Sequence, residues 1–421
     1  MYGKSSPLYH KNLLLVLEFI GVVRVYIYIV TAFFIWGSIL KIRSSSNCFS
    51  AALLLVVALL IVIQISPGCL SAQREADLPQ ANNLSSGSDD DYPRASVIAD
   101  DLEIPWSLDF LPDGSIIFTE RPGRVRLIDI EEGLLPEPLE TIGEVAHTGE
   151  GGLLGITVHP DFEDNHFIYV YYTYREDDRL YNKVVRYTEE NRELTDAQVI
   201  IDSIPGGGNH NGGRIGFGPD GLLYITAGDA GEDLLAQNPD SLAGKILRIT
   251  DEGDIPEDNP LQDSPVYTLG HRNPQGLAWD EQGRLWATEH GPTMRDELNL
   301  IEAGNNYGWP EITGDESASD MESPIIHSSM QTWAPSGATY LNGSVFFAGL
   351  RGQSLYEASI DPDNDFGSVE LQEHFDGEFG RLRDVVAGPD GNLYVLTSNQ
   401  DGRGRPVSGD DRVIRINVSR M

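Results

Sequence analysis

The chain has 421 residues, 40% of them hydrophobic, with 44 glycines and 24 prolines; this mix suits many short strands joined by tight turns and excludes disorder for the bulk of the protein. Its 29 Lys and Arg stand against 65 Asp and Glu, a net charge of -36, so a phosphate backbone is repelled and nucleic-acid binding is excluded. Cys48 and Cys69 are the only two cysteines, and the residues after them can hold no disulfide framework.

Two apolar stretches come first in the chain: residues 12–40, interrupted by Glu18 and Arg24, and residues 51–65. The second is short for a membrane span and follows Lys41 and Arg43, so it reads as the apolar core of an export signal behind a basic flank. Apart from Pro67, Ile65-Ser66-Pro67-Gly68-Cys69 resembles a lipoprotein cleavage box, which would make Cys69 a lipid-bearing first residue. Residues 1–70 are thus expected to be a signal or membrane region that exports the remainder, with attachment to the membrane through this end; a two-span anchor is the competing reading. Residues 71–95 are rich in Ser, Asn, Asp and Gln, as in a flexible linker.

From residue 96 to 421 one phrase recurs: an apolar strand, a turn, then a strand of strong β formers. Leu108-Asp-Phe-Leu-Pro-Asp-Gly-Ser-Ile-Ile-Phe-Thr119 parallels Ile215-Gly-Phe-Gly-Pro-Asp-Gly-Leu-Leu-Tyr-Ile-Thr226, and further copies turn at Gly283 and at Pro389-Asp390-Gly391. Weaker relatives turn at Asp164-Asn165 and Asn342-Gly343. Proline presets φ and glycine accepts the positive φ that closes a hairpin. Six turns set roughly 50 to 60 residues apart predict an all-β fold, a six-bladed β-propeller with loops gathered on a shared central face. A β-sandwich shares the alternation but not this period.

Between the hairpins lie the residues able to carry chemistry. Gly206-Gly207-Gly208-Asn209-His210-Asn211-Gly212-Gly213-Arg214 lets backbone approach a ligand and leaves the His210 imidazole uncrowded, which makes it the general-base candidate. Arg272 and Asn273, in Gly270-His-Arg-Asn-Pro-Gln-Gly276, offer donors to carboxylate or quinone oxygens. Glu289-His-Gly291-Pro292, with Asp296-Glu297 and Asn306-Tyr307, offers unobstructed carbonyls and carboxylates of the kind calcium takes, although not at an EF-hand spacing. Arg351, Arg381 and Arg383 form a cationic cluster in an acidic chain, with Arg381 and Arg383 on one side of a strand, and an acidic ligand is its natural occupant.

Taken in order with Gly149-Glu150-Gly-Gly-Leu-Leu-Gly155 and Asn306-Tyr-Gly-Trp-Pro310, these phrases resemble the soluble glucose/sorbosone dehydrogenase family, in particular aldose sugar dehydrogenases that use pyrroloquinoline quinone (PQQ). The resemblance implies oxidation of an aldose to its lactone, with electrons passed to an external acceptor that the sequence does not name. It implies His210 as the catalytic base, Arg272 and Asn273 as quinone-binding residues with Arg272 also polarising the accepting carbonyl, and Arg351, Arg381 and Arg383 as partners of the quinone carboxylates. Gly291 and Pro292 match the carbonyl ligands of a catalytic Ca2+, and Glu297 and Tyr307 a second, structural calcium site. Glu150 falls where the better-known relatives carry Gln against the cofactor; a carboxylate beside an anionic quinone needs a proton or a metal. A non-catalytic extracellular propeller that binds carbohydrate or protein is the alternative, and a calcium-dependent lactonase a third.

Overall fold

In the computed structural model residues 93–360 and 369–421 are described; the apolar stretches, Cys69 and all but the end of the linker lie outside them. Each Pro-Asp-Gly phrase closes a hairpin: Phe110 pairs with Ile116, Phe217 with Leu223, and Ala387 with Leu393. Gly114, Gly221 and Gly391 sit at φ +90°, +76° and +74°, the left-handed region in which a Cβ is strained. Gly283 and Gly343 close the corresponding turns of two further hairpins. The Asp164-Asn165 turn differs from the expectation, because the chain there makes one helical turn, Phe162–Asn165, whose Phe162 is buried and anchors the longer connection.

Each hairpin forms the inner half of an antiparallel sheet. Blade 1 has Pro105–Phe110, Ile116–Glu120, Arg124–Asp129 and Gly133–Leu134, with Glu140–Thr141 also paired to the third strand. Blade 2 has Leu153–Val158, Phe167–Glu176, Arg179–Glu190 and Glu193–Pro205; blade 3 has Ile215–Phe217, Leu223–Ala227, Lys245–Ile249 and Val266–Leu269. Blade 4 has Pro274–Trp279, Leu285–Glu289, Glu297–Ile301 and Ile326–His327; blade 5 has Pro335–Leu341, Ser344–Gly349, Leu355–Ser359 and Glu370–His374. Blade 6 takes three strands from the C-terminal end, Leu382–Ala387, Leu393–Thr397 and Val413–Ile416, and its outer strand from Ala95–Ala99. Pairing of Ala95 with Ile416 therefore closes the ring by joining the two ends of the described chain, as expected of a six-bladed propeller.

The apolar faces of the strands pack blade against blade, giving one buried cluster per junction. Ile117, Leu153 and Val170 lie between blades 1 and 2, Tyr171, Ile204 and Ile225 between blades 2 and 3, and Trp286, Val345 and Phe347 between blades 4 and 5. Burial of each such side chain contributes about 1.5–3 kcal/mol, so the ring is stable only when every junction is filled.

The axis, by contrast, is polar. Arg214, entering blade 3, donates from Nη1 to Asp384 Oδ2 at 2.9 Å and to Ser107 Oγ at 2.6 Å, and from Nε to the Gln275 carbonyl at 3.0 Å. Asp384 Oδ2 also accepts from Leu108 N at 3.0 Å. A Cβ on Gly337, in the first strand of blade 5, would lie 1.7 Å from Asp384 Oδ1, so only glycine fits there. One ion pair thus connects blades 1, 3, 4 and 6 and presses on blade 5. Replacing Asp384 by Ala strands the buried Arg214 charge and is expected to cost about 3–5 kcal/mol, with partial recovery in the Asp384→Ala/Arg214→Met double variant. Urea denaturation checks this; an unchanged midpoint in Asp384→Ala would remove the pair from its organising role.

Candidate active site

With four antiparallel strands per blade, the loops after the second and fourth strands open on one face and the Pro-Asp-Gly turns on the other. This alone gathers the candidates. Glu150, His210, Arg272, Asn273 and Arg381 lie on or at the end of loops between blades, while Gly291, Pro292 and Arg351 lie on loops after second strands. Arg383 follows Arg381 into the first strand of blade 6 and faces the axis from there.

His210 is held by close backbone packing. A Cβ on Gly149 would lie 2.0 Å from Gly208 O, and one on Gly228 would lie 2.1 Å from His210 O, so the three loops touch main chain to main chain. His210 itself takes φ +55°; its N–H donates to Glu150 Oε2 at 3.0 Å. Its Nδ1 is 2.7 Å from Asp229 Oδ1. A carboxylate accepts only, so the proton sits on Nδ1 and Nε2 carries the lone pair. Asn209 Nδ2 lies 3.3 Å from that Nε2. Asp229, fully buried, also accepts from Trp309 Nε1 at 2.9 Å and from Gly231 N at 2.7 Å. The sequence singled out His210 but not Asp229, whose only signal is its place between the glycines of Gly228-Asp-Ala-Gly231.

The Asp229 loop is supported by a second unforeseen residue. Lys245 is 0% exposed and donates to the carbonyls of Leu235, Ala236 and Ala243 at 2.9, 3.0 and 2.7 Å. Burial pulls its ammonium down to about 7, while the three carbonyls accept hydrogen bonds from its three N–H groups.

Cations form the floor. Arg381 pairs with Asp401 at 2.8 Å and Arg383 approaches the same carboxylate at 3.8 Å, so the two guanidiniums do share a side. Arg383 also donates to Gln275 Oε1 at 3.0 Å, and both it and Arg214 stand over the Trp106 ring, at 5.6 and 4.6 Å. Burial lowers the Arg383 pKa to about 9, which leaves it charged at neutral pH. Burial works against ionisation of Asp401, but Arg381 and Arg383 outweigh it and hold its carboxyl below the usual range. Arg121, Asp401 and Trp106 were not anticipated, because each stands outside any recognisable motif; Gln275 lies within the Gly270–Gly276 phrase but was not singled out.

Glu150 is likewise ionised. Burial opposes this, yet the His210 N–H and Arg403, 2.7 Å away, lower its pKa. Burial favours neutral His290 nearby.

Other candidates are placed differently from one another. Arg272 donates to the Gly291 carbonyl at 2.9 Å and stands over the Trp309 ring at 5.2 Å. Asn273, 1% exposed, accepts from Gly212 N at 3.0 Å, which puts it under the His210 loop. Arg351 is exposed at the rim. The Tyr307 hydroxyl donates to Leu300 O and accepts from Glu302 N, and its ring stacks on His271, so only its carbonyl is available to a metal. Glu297 is pushed up to about 8 by burial and by Glu289 and Asp296 beside it. Among the described residues no three His, Cys, Asp or Glu side chains form a metal-binding group; a cation here would rest largely on main-chain oxygens around Gly291 and Pro292.

Among the described residues, several buried nitrogens have no hydrogen-bond partner, including Nε of Arg121, Arg272 and Arg383, and Nε2 of His290. A charged floor with unspent donors, below an imidazole primed by a carboxylate, belongs to an enzyme that holds an acidic group against a proton acceptor. The model of one family, Glucose / Sorbosone dehydrogenase, matches residues 102–407, and the chain belongs to that family of sugar oxidoreductases. It is 34% identical over 344 residues to the aldose sugar dehydrogenase YliI of Escherichia coli, covering 74% of this chain and 92% of that protein. It is 33% identical over 295 residues to quinoprotein glucose dehydrogenase B of Acinetobacter calcoaceticus, 62% of this chain and 61% of the relative. Among solved structures, the PQQ-bound aldose sugar dehydrogenase of Streptomyces coelicolor superposes with a TM-score of 0.72 at 40% identity, over 77% of this chain and 97% of that one.

Because its folded pKa is depressed, Asp401 contributes stability above the ordinary aspartate range, about pH 4, and loses it as pH falls through the lowered value. Asp401→Asn should therefore be less stable than wild type by about 3 kcal/mol at pH 7, and the gap should narrow below about pH 4. Thermal melts across pH 2.5–7 decide it; a gap independent of pH would contradict the assignment.

Proposed function

We propose that this protein oxidises aldoses to lactones with PQQ held on the cationic floor. The observation that carries this is the set of buried, unspent guanidinium N–H donors of Arg121, Arg272 and Arg383 beside the His210–Asp229 pair. Their chemistry fits a flat tricarboxylate, whose charge would satisfy them. Bound PQQ would supply the two-electron acceptor for the anomeric hydride, and Ca2+ would act as a Lewis acid at a quinone oxygen.

The residues of the chain do the rest. His210 Nε2 takes the proton of the anomeric hydroxyl, and Asp229 stabilises the imidazolium that results. Arg381 and Arg383 bind carboxylates, and Arg272 lies where it can serve a carbonyl oxygen. Asn273 fixes the His210 loop from below. Gly291 and Pro292 would present carbonyls to the catalytic calcium, and Glu297 with the Tyr307 carbonyl would hold a second one; a cation there removes the repulsion that now raises the Glu297 pKa. The cavity bounded by Trp106, Glu150, His290 and Arg403 is about 30 Å³, so quinone entry requires Arg403, whose side chain is 63% exposed, to leave Glu150. An external acceptor collects the electrons. The apolar residues 1–70 support an exported enzyme, periplasmic or tethered to the membrane.

The test is reconstitution of the purified protein with PQQ and Ca2+, followed by aldose-dependent dye reduction. Activity is expected, with loss on calcium chelation. His210→Gln should keep the cofactor and lose about 10²–10⁴ in kcat. Unchanged turnover in that variant, or in metal-free protein, would overturn the reading.

A further inference from the structure

Beside the funnel lined by Trp106, Glu150, His290 and Arg403, between blades 5 and 6 on the same face, lies a groove of about 390 Å³, within the range of small-ligand pockets. Its floor is rigid. Asn399, 5% exposed, donates to Phe379 O at 2.9 Å and accepts from Arg381 N at 2.9 Å. Gly380 and Gly404 pack so tightly that a Cβ on either would lie 2.3 Å from an Asn399 oxygen.

Three cations line this groove: Arg403, Arg405 and Arg412. Two carboxylates share the groove: Asp410 lies 3.4 Å from Arg412 and pairs with it, and Glu378 lies 4.0 Å from Arg94. Arg405 is exposed and has no acidic partner among the described residues. Three arginines in one groove run against a composition of 29 bases to 65 acids, so this surface favours an anion where most of the protein repels one. Arg403 borders both the groove and the funnel, where it meets Glu150. Glu150 in turn accepts from His210 N, so the groove adjoins the candidate base through the Arg403–Glu150 pair.

We propose that the groove is a subsite for a second, negatively charged sugar unit. The substrate class is then an acidic oligosaccharide, its terminal aldose at His210 and a carboxylate or sulfate on the neighbouring unit held by Arg403 and Arg405. This rests on the dehydrogenase reading above. Once Arg403 turns from Glu150 to admit the quinone, its guanidinium is free for such an anion, and Arg405 is free throughout.

The full chain, loaded with PQQ and Ca2+, should be compared on a neutral reducing disaccharide, the same disaccharide with a uronic acid as the second unit, and its sulfate ester. The acidic forms should show kcat/KM about fivefold higher, the worth of one well-placed charge-assisted contact. The advantage should fall in 0.5 M salt. Arg405→Gln should bring the acidic-to-neutral ratio to about 1, and Arg405→Lys should restore part of it. A preference for uronate or for sulfate alone identifies the anion. Equal kcat/KM for acidic and neutral forms, or a ratio untouched by Arg405→Gln, overturns the proposal. If no aldose is oxidised at all, the dehydrogenase reading fails, and calorimetric titration with the acidic disaccharide decides the groove by itself. Saturable binding lost in Arg405→Gln upholds an anionic-sugar site; no binding overturns it.

Discussion

The Arg214–Asp384 pair on the axis is the contact on which the rest of the molecule depends. Six wedges of apolar side chains hold blade to blade, but they are non-directional and leave the centre of the ring undefined. The pair, with Ser107, the Leu108 N–H and the Gln275 carbonyl, gives that centre a fixed geometry. It also sets the level of the cationic floor, because Arg214 shares the Trp106 ring with Arg383. Burying so much charge is costly. The arrangement makes sense as a platform whose remaining donors await an anion.

Charge is then graded from the axis outward. Asp384 neutralises Arg214 in the interior, and Asp401 is shared by Arg381 and Arg383 at the floor. Arg403 and Glu150 meet at the mouth, where the pair is exposed enough to exchange partners. Among the described residues, Arg121, Arg272 and Arg383 keep a buried Nε without a partner at the site, besides Arg214 Nη2 on the axis and Arg126 Nε. His210 stands beside this gradient and not within it, held by Asp229 and by a left-handed backbone that glycine neighbours make room for.

The fold was legible in the sequence because turn chemistry is local. Pro-Asp-Gly dictates a hairpin whatever surrounds it, and six hairpins at one long spacing leave few architectures. The exception, at residues 159–166, used a helical turn anchored by Phe162, a choice set by packing that the sequence pattern does not display. Likewise, the closing strand Ala95–Ala99 has no repeat signal of its own; ring closure explains it, and local propensity does not.

The site was legible where a glycine-rich phrase or a pair of arginines marked it, as at His210, Arg272, Arg381 and Arg383. It was hidden where a partner comes from another blade. Asp229, Lys245, Asp401 and Arg403 are ordinary charged residues in an acidic chain until the fold brings them to His210, to a bundle of carbonyls, to two arginines and to Glu150. At Tyr307, which a motif named, the structure spends the hydroxyl on main-chain groups and leaves the carbonyl. The most direct measurement is an equilibrium titration of the protein with PQQ in wild type and Arg383→Leu. Tight binding in wild type, weakened about a hundredfold in the variant by loss of a buried charge-assisted contact, is the expected result; equal affinity, or no binding to folded calcium-loaded wild type, would contradict the account.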